Sequence, residues 1–169
     1  MVAVPNKLLN ILNSKKIKFT ITEHPPFYTV KEARAFKKLK GAHTKNLFLK
    51  NKKNSFFLIS CKDDTKINLK QLKNSPIFGN LSFANEFYLN QYLNLLPGSV
   101  TPFGLLFDTD NIVKFYLDCN LLQHRIINFH PLINTATIGL ETSTFINFMK
   151  SQNKLVNFIN FDTYEITNE

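Results

Sequence analysis

The chain has 169 residues, of which 44% are apolar and 20% charged; this length argues for one domain, residues 1–169, able to bury a core without metal or disulfide. The balance excludes disordered and fibrous classes, no apolar run approaches the ~20 residues of a membrane span, and the first ten residues lack the charged-then-apolar layout of an export signal, so a cytoplasmic location is expected. The net charge of +9 is uneven, with 17 Lys/Arg against 4 Asp/Glu in residues 1–75 and 4 against 8 in residues 76–169.

A basic first half points to a polyanionic partner, nucleic acid being the commonest. A compositional explanation competes with it. Asn, Lys, Phe and Ile supply 21, 19, 17 and 14 residues, the usage of an AT-rich genome.

In chain order, Pro5 stands at a first helical position and Leu8, Leu9, Ile11 and Leu12 recur at helical spacing, which predicts an amphipathic helix over 5–15. Residues 19–23 alternate like a half-buried strand, and His24-Pro25-Pro26 stops them. Thr29 and Glu32 form a capping box for a helix reaching about Leu39. Residues 45–49 and 55–61 are strand-like runs joined by a polar loop, a hairpin pattern. Asn68 is placed to cap a helix over 69–74, and Ser82 or Asn85 another ending near Leu93. Two prolines and a glycine make residues 97–102 a loop. Strands follow at 103–107, 113–118, 125–129 and 135–140, with a turn at 108–111, then a helix over 143–152 and a last strand over 155–161. Strands dominate the centre without the alternation of a doubly wound fold, so an α+β domain with a mixed, curved sheet is expected.

Several chemistries are absent from the sequence. There is no GxxxxGK[ST], no GxGxxG and no GxSxG, and the histidines at 24, 43, 124 and 130 lack the HxxxH spacing of a helical zinc site. The six aspartates are scattered, and Cys61 and Cys119 form no CxxC pair, reading instead as small core residues. Neither a metal nor a cofactor is expected.

Three stretches hold polar residues that fix geometry. In residues 41–49, strand alternation puts Lys45 on the face of Leu47 and Leu49, with Asn46 and Phe48 on the other. An inward lysine is costly unless it meets an anionic or polar partner, which makes Lys45 a site candidate; the alternative is that it precedes the strand and reaches solvent. In residues 98–102, glycine permits unusual dihedrals and proline stiffens the far end, so the loop can present backbone groups to a ligand or be a plain turn. In residues 129–137, a strand ends at His130 before a proline, and Asn134 and Thr135 follow in a bend. A lone histidine there is either a catalyst or a satisfied core group.

Together with His24-Pro-Pro-Phe-Tyr-Thr-Val-Lys-Glu-Ala33, the stretches Gly41-Ala-His-Thr-Lys-Asn-Leu-Phe-Leu49, Pro97-Gly-Ser-Val-Thr-Pro-Phe-Gly104 and Phe129-His-Pro-Leu-Ile-Asn-Thr-Ala-Thr137 give four motifs in order along nearly the whole chain. In these the chain resembles the free-standing aminoacyl-tRNA deacylases related to the editing domain of bacterial prolyl-tRNA synthetases (YbaK/ProX), most closely the alanyl-tRNA(Pro) deacylases. The resemblance implies a mixed, partly barrel-like sheet ringed by helices, and hydrolysis of the ester between a wrong amino acid and the terminal ribose of tRNA(Pro), without metal or cofactor. It implies that Lys45, Gly98 and His130 are catalytic: Lys45 falls on a near-invariant lysine, Gly98 and Pro102 on the ends of a GxxxP loop whose backbone helps place the attacking water, and His130 on a histidine lining the amino-acid pocket. On the same motifs, Asn46, Ser99, Val100, Thr101, Pro102, Phe103, Asn134 and Thr135 are expected to bind substrate. The closing Gly-His of many relatives is here Asn153-Lys154, which puts C-terminal tRNA contacts in question rather than the chemistry.

The expected partners are a mischarged tRNA(Pro) and prolyl-tRNA synthetase, with no membrane. Lys66, Lys70 and Lys73 stand at i, i+4 and i+7, so a helix there would align them as a stripe for tRNA phosphates or as a solvated face. Two other readings share the basic half: deacylation of another mischarged tRNA such as Cys-tRNA(Pro), and a non-catalytic tRNA-binding module, which leaves the GxxxP loop and His130 without a purpose.

Overall fold

The computed structural model describes residues 5–26, 31–32 and 39–168. Helix α1 (Asn6–Ser14) forms where the leucines recur at helical spacing, burying Leu8 and Leu12 one turn apart. Strand β1 (Phe19–Glu23) stops at His24-Pro25 as expected. Residues 31–32 are helical and Leu39 is not; Thr29 and the other positions of the expected capping-box helix lie outside the described residues.

Strand β2 (Ala42–Asn51) is longer than the run over 45–49 read from its pattern, because it starts directly after Gly41. That glycine has φ +92°, and a Cβ on it would lie 2.4 Å from the Ile126 carbonyl oxygen, so no side chain fits where the two strands meet. The hairpin to β3 (Phe56–Lys62) turns through Asn54 at φ +57°, with the Asn51 carboxamide oxygen accepting from the Lys53 and Ser55 amides at 2.9 Å. Helix α2 (Leu69–Leu72) is only four residues, shorter than expected, with Asn68 capping it. Strand β4 (Leu81–Phe83) was not foreseen; helix α3 (Glu86–Leu93) follows, and its cap is Asn85 rather than Ser82.

The strand expected over 103–107 is a 3₁₀ helix, Pro102–Phe107. Proline at its first position and the Thr101 hydroxyl accepting from the Phe103 amide decide between states that a short apolar run leaves open. Then come β5 (Val113–Asp118), a second 3₁₀ helix (Cys119–Gln123), β6 (Ile126–Phe129), β7 (Ala136–Glu141), α4 (Thr142–Ser151), β8 (Val156–Ile159) and the unforeseen β9 (Ile166–Asn168).

Among the described residues these strands make one mixed sheet in the order β1-β7-β6-β2-β3-β5-β8-β9, with β4 added on β2, and the sheet stays open. β2 is its seam. Its first residues run parallel to β6 (Ala42↔Ile127, His43↔Asn128), its middle antiparallel to β3, and its end antiparallel to β4. Apolar residues pack on both faces: Phe48, Phe56 and Leu58 join Leu8, Phe103, Phe145 and their neighbours, while Leu49, Phe57, Ile59 and Cys61 join Phe78, Tyr116 and Phe161. Burial on both faces is why residues 56–61 read as a continuous apolar run rather than an alternating one.

Candidate active site

The seam brings β2, β6 and β7 together around a cavity of about 50 Å³, whose lining includes His43, Thr44, Asn46, Asn128, His130 and Thr137. Hydrogen bonds fix the Thr44, Asn46, Asn128, His130 and Thr137 side chains. The Thr44 hydroxyl donates to the Asn128 carbonyl at 2.6 Å, and the Asn128 amide donates to the carbonyls of Lys40 and Ala42 at 2.8 and 3.0 Å. The Asn46 amide donates to the Val100 carbonyl at 3.0 Å while its oxygen accepts from the Ser60 hydroxyl at 2.6 Å. Asn46 thereby ties the Gly98–Pro102 loop to β2.

Within that loop Gly98 is exposed at φ +85°, a conformation that disfavours a side chain. Ser99 turns inward, its amide and hydroxyl both donating to the Leu96 carbonyl. Val100 is half-buried, Thr101 caps the 3₁₀ helix, and Pro102 opens it. Phe103, expected to meet substrate, is fully buried edge-on to Phe129, Phe145 and Phe148. It is a packing residue that holds the loop from below.

His130 directly follows β6, which ends one residue earlier, at Phe129, and its Nδ1 lies 3.1 Å from the Ala136 carbonyl. A carbonyl only accepts, so Nδ1 carries the proton and Nε2 is the ring's acceptor in the neutral form. Burial pushes His130 below the ordinary histidine value, the Ala136 carbonyl partly opposes this, and His24 adds to it. The His24 ring lies 6.1 Å away, centroid to centroid. By the same logic His24 donates from Nδ1 to the Pro25 carbonyl and accepts at Nε2 from the Thr137 hydroxyl, both at 2.8 Å. Asn134 and Thr135 form the turn between β6 and β7; they do not line the cavity, and the Thr135 carbonyl receives the His24 amide at 3.0 Å.

Lys45 lies inside β2 rather than before it, half-buried and on the face opposite Asn46, so it does not line the cavity. Its Nζ donates to the Thr65 carbonyl, and the Thr65 hydroxyl donates to the Asp118 carboxylate at 2.8 Å. Beside it, burial pushes the Cys61 thiol up to about 12 despite the lysine charge. The lysine stripe needs correcting. Lys66 precedes the four-residue α2, so Lys66, Lys70 and Lys73 are exposed but do not share one helix.

Thr44, Asn128 and Thr137 were not singled out from the sequence. The usable signal was a polar side chain inside an apolar strand run, as in Arg-Ile-Ile-Asn-Phe129, since a buried amide needs partners. Among the described residues no group of three or more His, Cys, Asp or Glu is placed to hold a metal ion, and no helix is long and apolar enough to cross a membrane.

The open mixed sheet is shared with solved structures. A solved structure described as a candidate trans-editing enzyme for prolyl tRNA synthetase matches it with TM-score 0.65 at 19% identity, over 92% of this chain and 96% of that one; at such identity the likeness speaks for the fold alone. The sequence carries more: residues 24–148 match the family described as "Aminoacyl-tRNA editing domain", and the chain belongs to that family. It is similar to the "Prolyl-tRNA synthetase associated domain-containing protein 1" of Bos taurus, 40% identical over 86% of this chain and 88% of that protein. It is also similar to the "Prolyl-tRNA editing protein ProX" of Acetoanaerobium sticklandii, 35% identical over 83% of this chain and 87% of that protein.

Proposed function

We propose that the protein is a cytoplasmic, metal-independent trans-editing hydrolase that cleaves the ester of Ala-tRNA(Pro), releasing alanine and free tRNA(Pro), and works alongside prolyl-tRNA synthetase. The observation that carries this reading is the small polar cavity at the seam, about 50 Å³ and lined by Asn46, His130 and Thr137, in a chain of the aminoacyl-tRNA editing family. A synthetase pocket shaped for proline rejects alanine by only about 1–3 kcal/mol, the worth of the missing methylenes. A second site that admits alanine and excludes proline supplies the remaining discrimination.

An aminoacyl ester is already activated, so orientation and charge suffice. Water held by the backbone of the Gly98–Pro102 loop attacks the ester carbonyl carbon, the tetrahedral oxyanion collapses, and the ribose oxygen leaves with the proton, relayed by the neighbouring ribose hydroxyl. Neutral His130 lines the amino-acid end of the cavity and offers Nε2 as an acceptor to the substrate's α-ammonium group. Lys45 has one ammonium proton on the Thr65 carbonyl and two to spare. It holds the terminal phosphate from the other face of β2 and so positions the ester.

The test is single-turnover deacylation of Ala-, Cys- and Pro-tRNA(Pro) with EDTA present. Release of alanine with proline retained is expected. Cysteine released in preference to alanine would move the substrate assignment, and loss of turnover in EDTA or equal release of proline would overturn the metal-free sieve. No turnover on any of the three would leave a binding module.

A further inference from the structure

A second cavity, of about 460 Å³, opens far along the sheet from the seam, between β5 and the turn joining α4 to β8. It exists because β8 begins opposite Phe115, leaving Val113 and Lys114 unpaired on that edge of β5. Its size is that of small-molecule sites, roughly 300–1,000 Å³. The deacylation chemistry above makes no use of it.

The polar part of the lining is one-sided. It holds Lys114, Lys154, Asn111, Asn153, Asn157 and the buried Tyr116, and no Asp or Glu. This is notable because residues 76–169 contain only four basic residues against eight acidic ones, and two of the four face this one space. Lys154 is 8% exposed, yet its Nζ is bonded to neutral oxygens, the Asp108 carbonyl and, at 2.7 Å, the Asn111 side-chain oxygen. The Asp108 carboxylate beside it is engaged by the Ile112 and Val113 amides at 3.0 and 2.8 Å. Burial holds Lys154 below the ordinary lysine value and the Asp108 charge only partly opposes this, so an ammonium whose direct partners are neutral oxygens gains from a further anion. Asn157 uses its amide nitrogen on the Phe115 carbonyl at 2.9 Å and keeps its oxygen as an acceptor. The apolar part, Leu105, Val113 and Phe115 below with Ile77 and Leu155 at the rim, includes a Leu155 that is 66% exposed. A flat apolar body would cover it.

We propose that this cavity is a nucleotide-binding site, with the phosphate taken by Lys114 and Lys154, the base laid against the apolar wall, and the asparagine amides meeting the base edge. The nucleotide is either a free mononucleotide or one residue of a bound RNA, and the experiment separates the two.

AMP, adenosine and inorganic phosphate are titrated calorimetrically into the wild-type protein, Lys114→Glu and Leu155→Ser, with uncharged tRNA(Pro) as competitor and as a ligand in its own right. Removing one charge-assisted contact should weaken AMP about tenfold or more, and AMP should bind better than adenosine or phosphate alone. Displacement of AMP by tRNA, or weaker tRNA binding by both variants without measurable AMP binding, assigns the site to RNA; AMP binding that tRNA leaves untouched assigns it to a free nucleotide. Phosphate binding as tightly as AMP would overturn the proposal, as would no saturation by millimolar AMP together with unchanged tRNA affinity in both variants. No arm reads deacylation, so the outcome is independent of the editing reaction.

Discussion

Among the described residues Asn46 supplies the side-chain tether from β2 to the Gly98–Pro102 loop, and Asn46→Ala tests whether that loop sets the chemistry. The substitution removes the 3.0 Å bond to the Val100 carbonyl and the 2.6 Å bond from Ser60, whose residue is fully buried. Two neutral hydrogen bonds contribute about 1 kcal/mol each, and an orphaned buried hydroxyl adds a penalty of similar size, for about 3 kcal/mol in all. In a domain of this length each kcal/mol lowers Tm by about 2–4 °C, so a fall of roughly 6–12 °C is expected. A loop displaced by about an ångström costs on the order of a hundredfold in rate. Ser60→Ala is the control, since it removes one of the bonds while leaving the loop tethered; it should cost about 1 kcal/mol and leave the rate near wild type. Asn46→Asp keeps the size but cannot donate to Val100, so it should lose rate like Asn46→Ala. Circular-dichroism melts and single-turnover deacylation with enzyme in excess, run well below the lowest Tm, separate stability from chemistry. If Asn46→Ala and Ser60→Ala turned over equally fast, the tether would be structural only and the loop would not place the water.

Lys45→Ala should lower the single-turnover rate about a hundredfold or more, the loss of one preorganised electrostatic group, and lower Tm by a few degrees because the Thr65 anchor goes with it. Lys50, whose Nζ sits 5.0 Å above the Tyr88 ring, should cost only a few-fold as alanine, and equal small effects of the two would remove Lys45 from the site. Because burial lowers the His130 value in the folded state, the unfolded chain takes up its proton first as pH falls; stability from this group is whole above about 6.5 and is lost below it. Tm and rate should both drop on the acid side, with a shallower Tm slope in His130→Gln, and matching slopes in the two proteins would show that another group titrates.

Much of the fold was legible because the hydrophobic period is a local signal. The helix burying Leu8 and Leu12 and the apolar run of β3 needed no tertiary knowledge. The strand expected at 103–107 failed because an apolar stretch of that length suits either state, and a proline with a threonine cap chose the 3₁₀ helix. Strands β4 and β9 are three residues each, too short to leave a periodicity to read, and they exist through pairing, β4 with the earlier β2 and β9 with the neighbouring β8. The motifs singled out His130, which lines the cavity, and the Gly98 loop, which meets it through the Asn46–Val100 bond and does not line it, but the cavity itself is a product of strand register across the seam. That register puts Thr44 and Asn46 at the cavity and turns Lys45 away, and it draws in Asn128 and Thr137 from strands more than eighty residues downstream. Local sequence carries no record of such proximity.

The backbone ladder between β2 and β6 covers only Ala42 and His43. Beyond it the two halves of the sheet are stitched by side chains, Asn128 to the Lys40 and Ala42 carbonyls and Thr44 to the Asn128 carbonyl. A gap spanned by side chains has a width that a single substitution can reset, whereas a gap spanned by amide rungs is fixed for every sequence. The halves on either side keep their own ladders and share one core, in which Phe129 and Ile138 pack with Phe48 and Phe56. The fold therefore separates what must stay constant from what can drift: the width of the seam cavity can be retuned through a longer or shorter stitch at positions 44 and 128, while the ladders of both halves stay as they are.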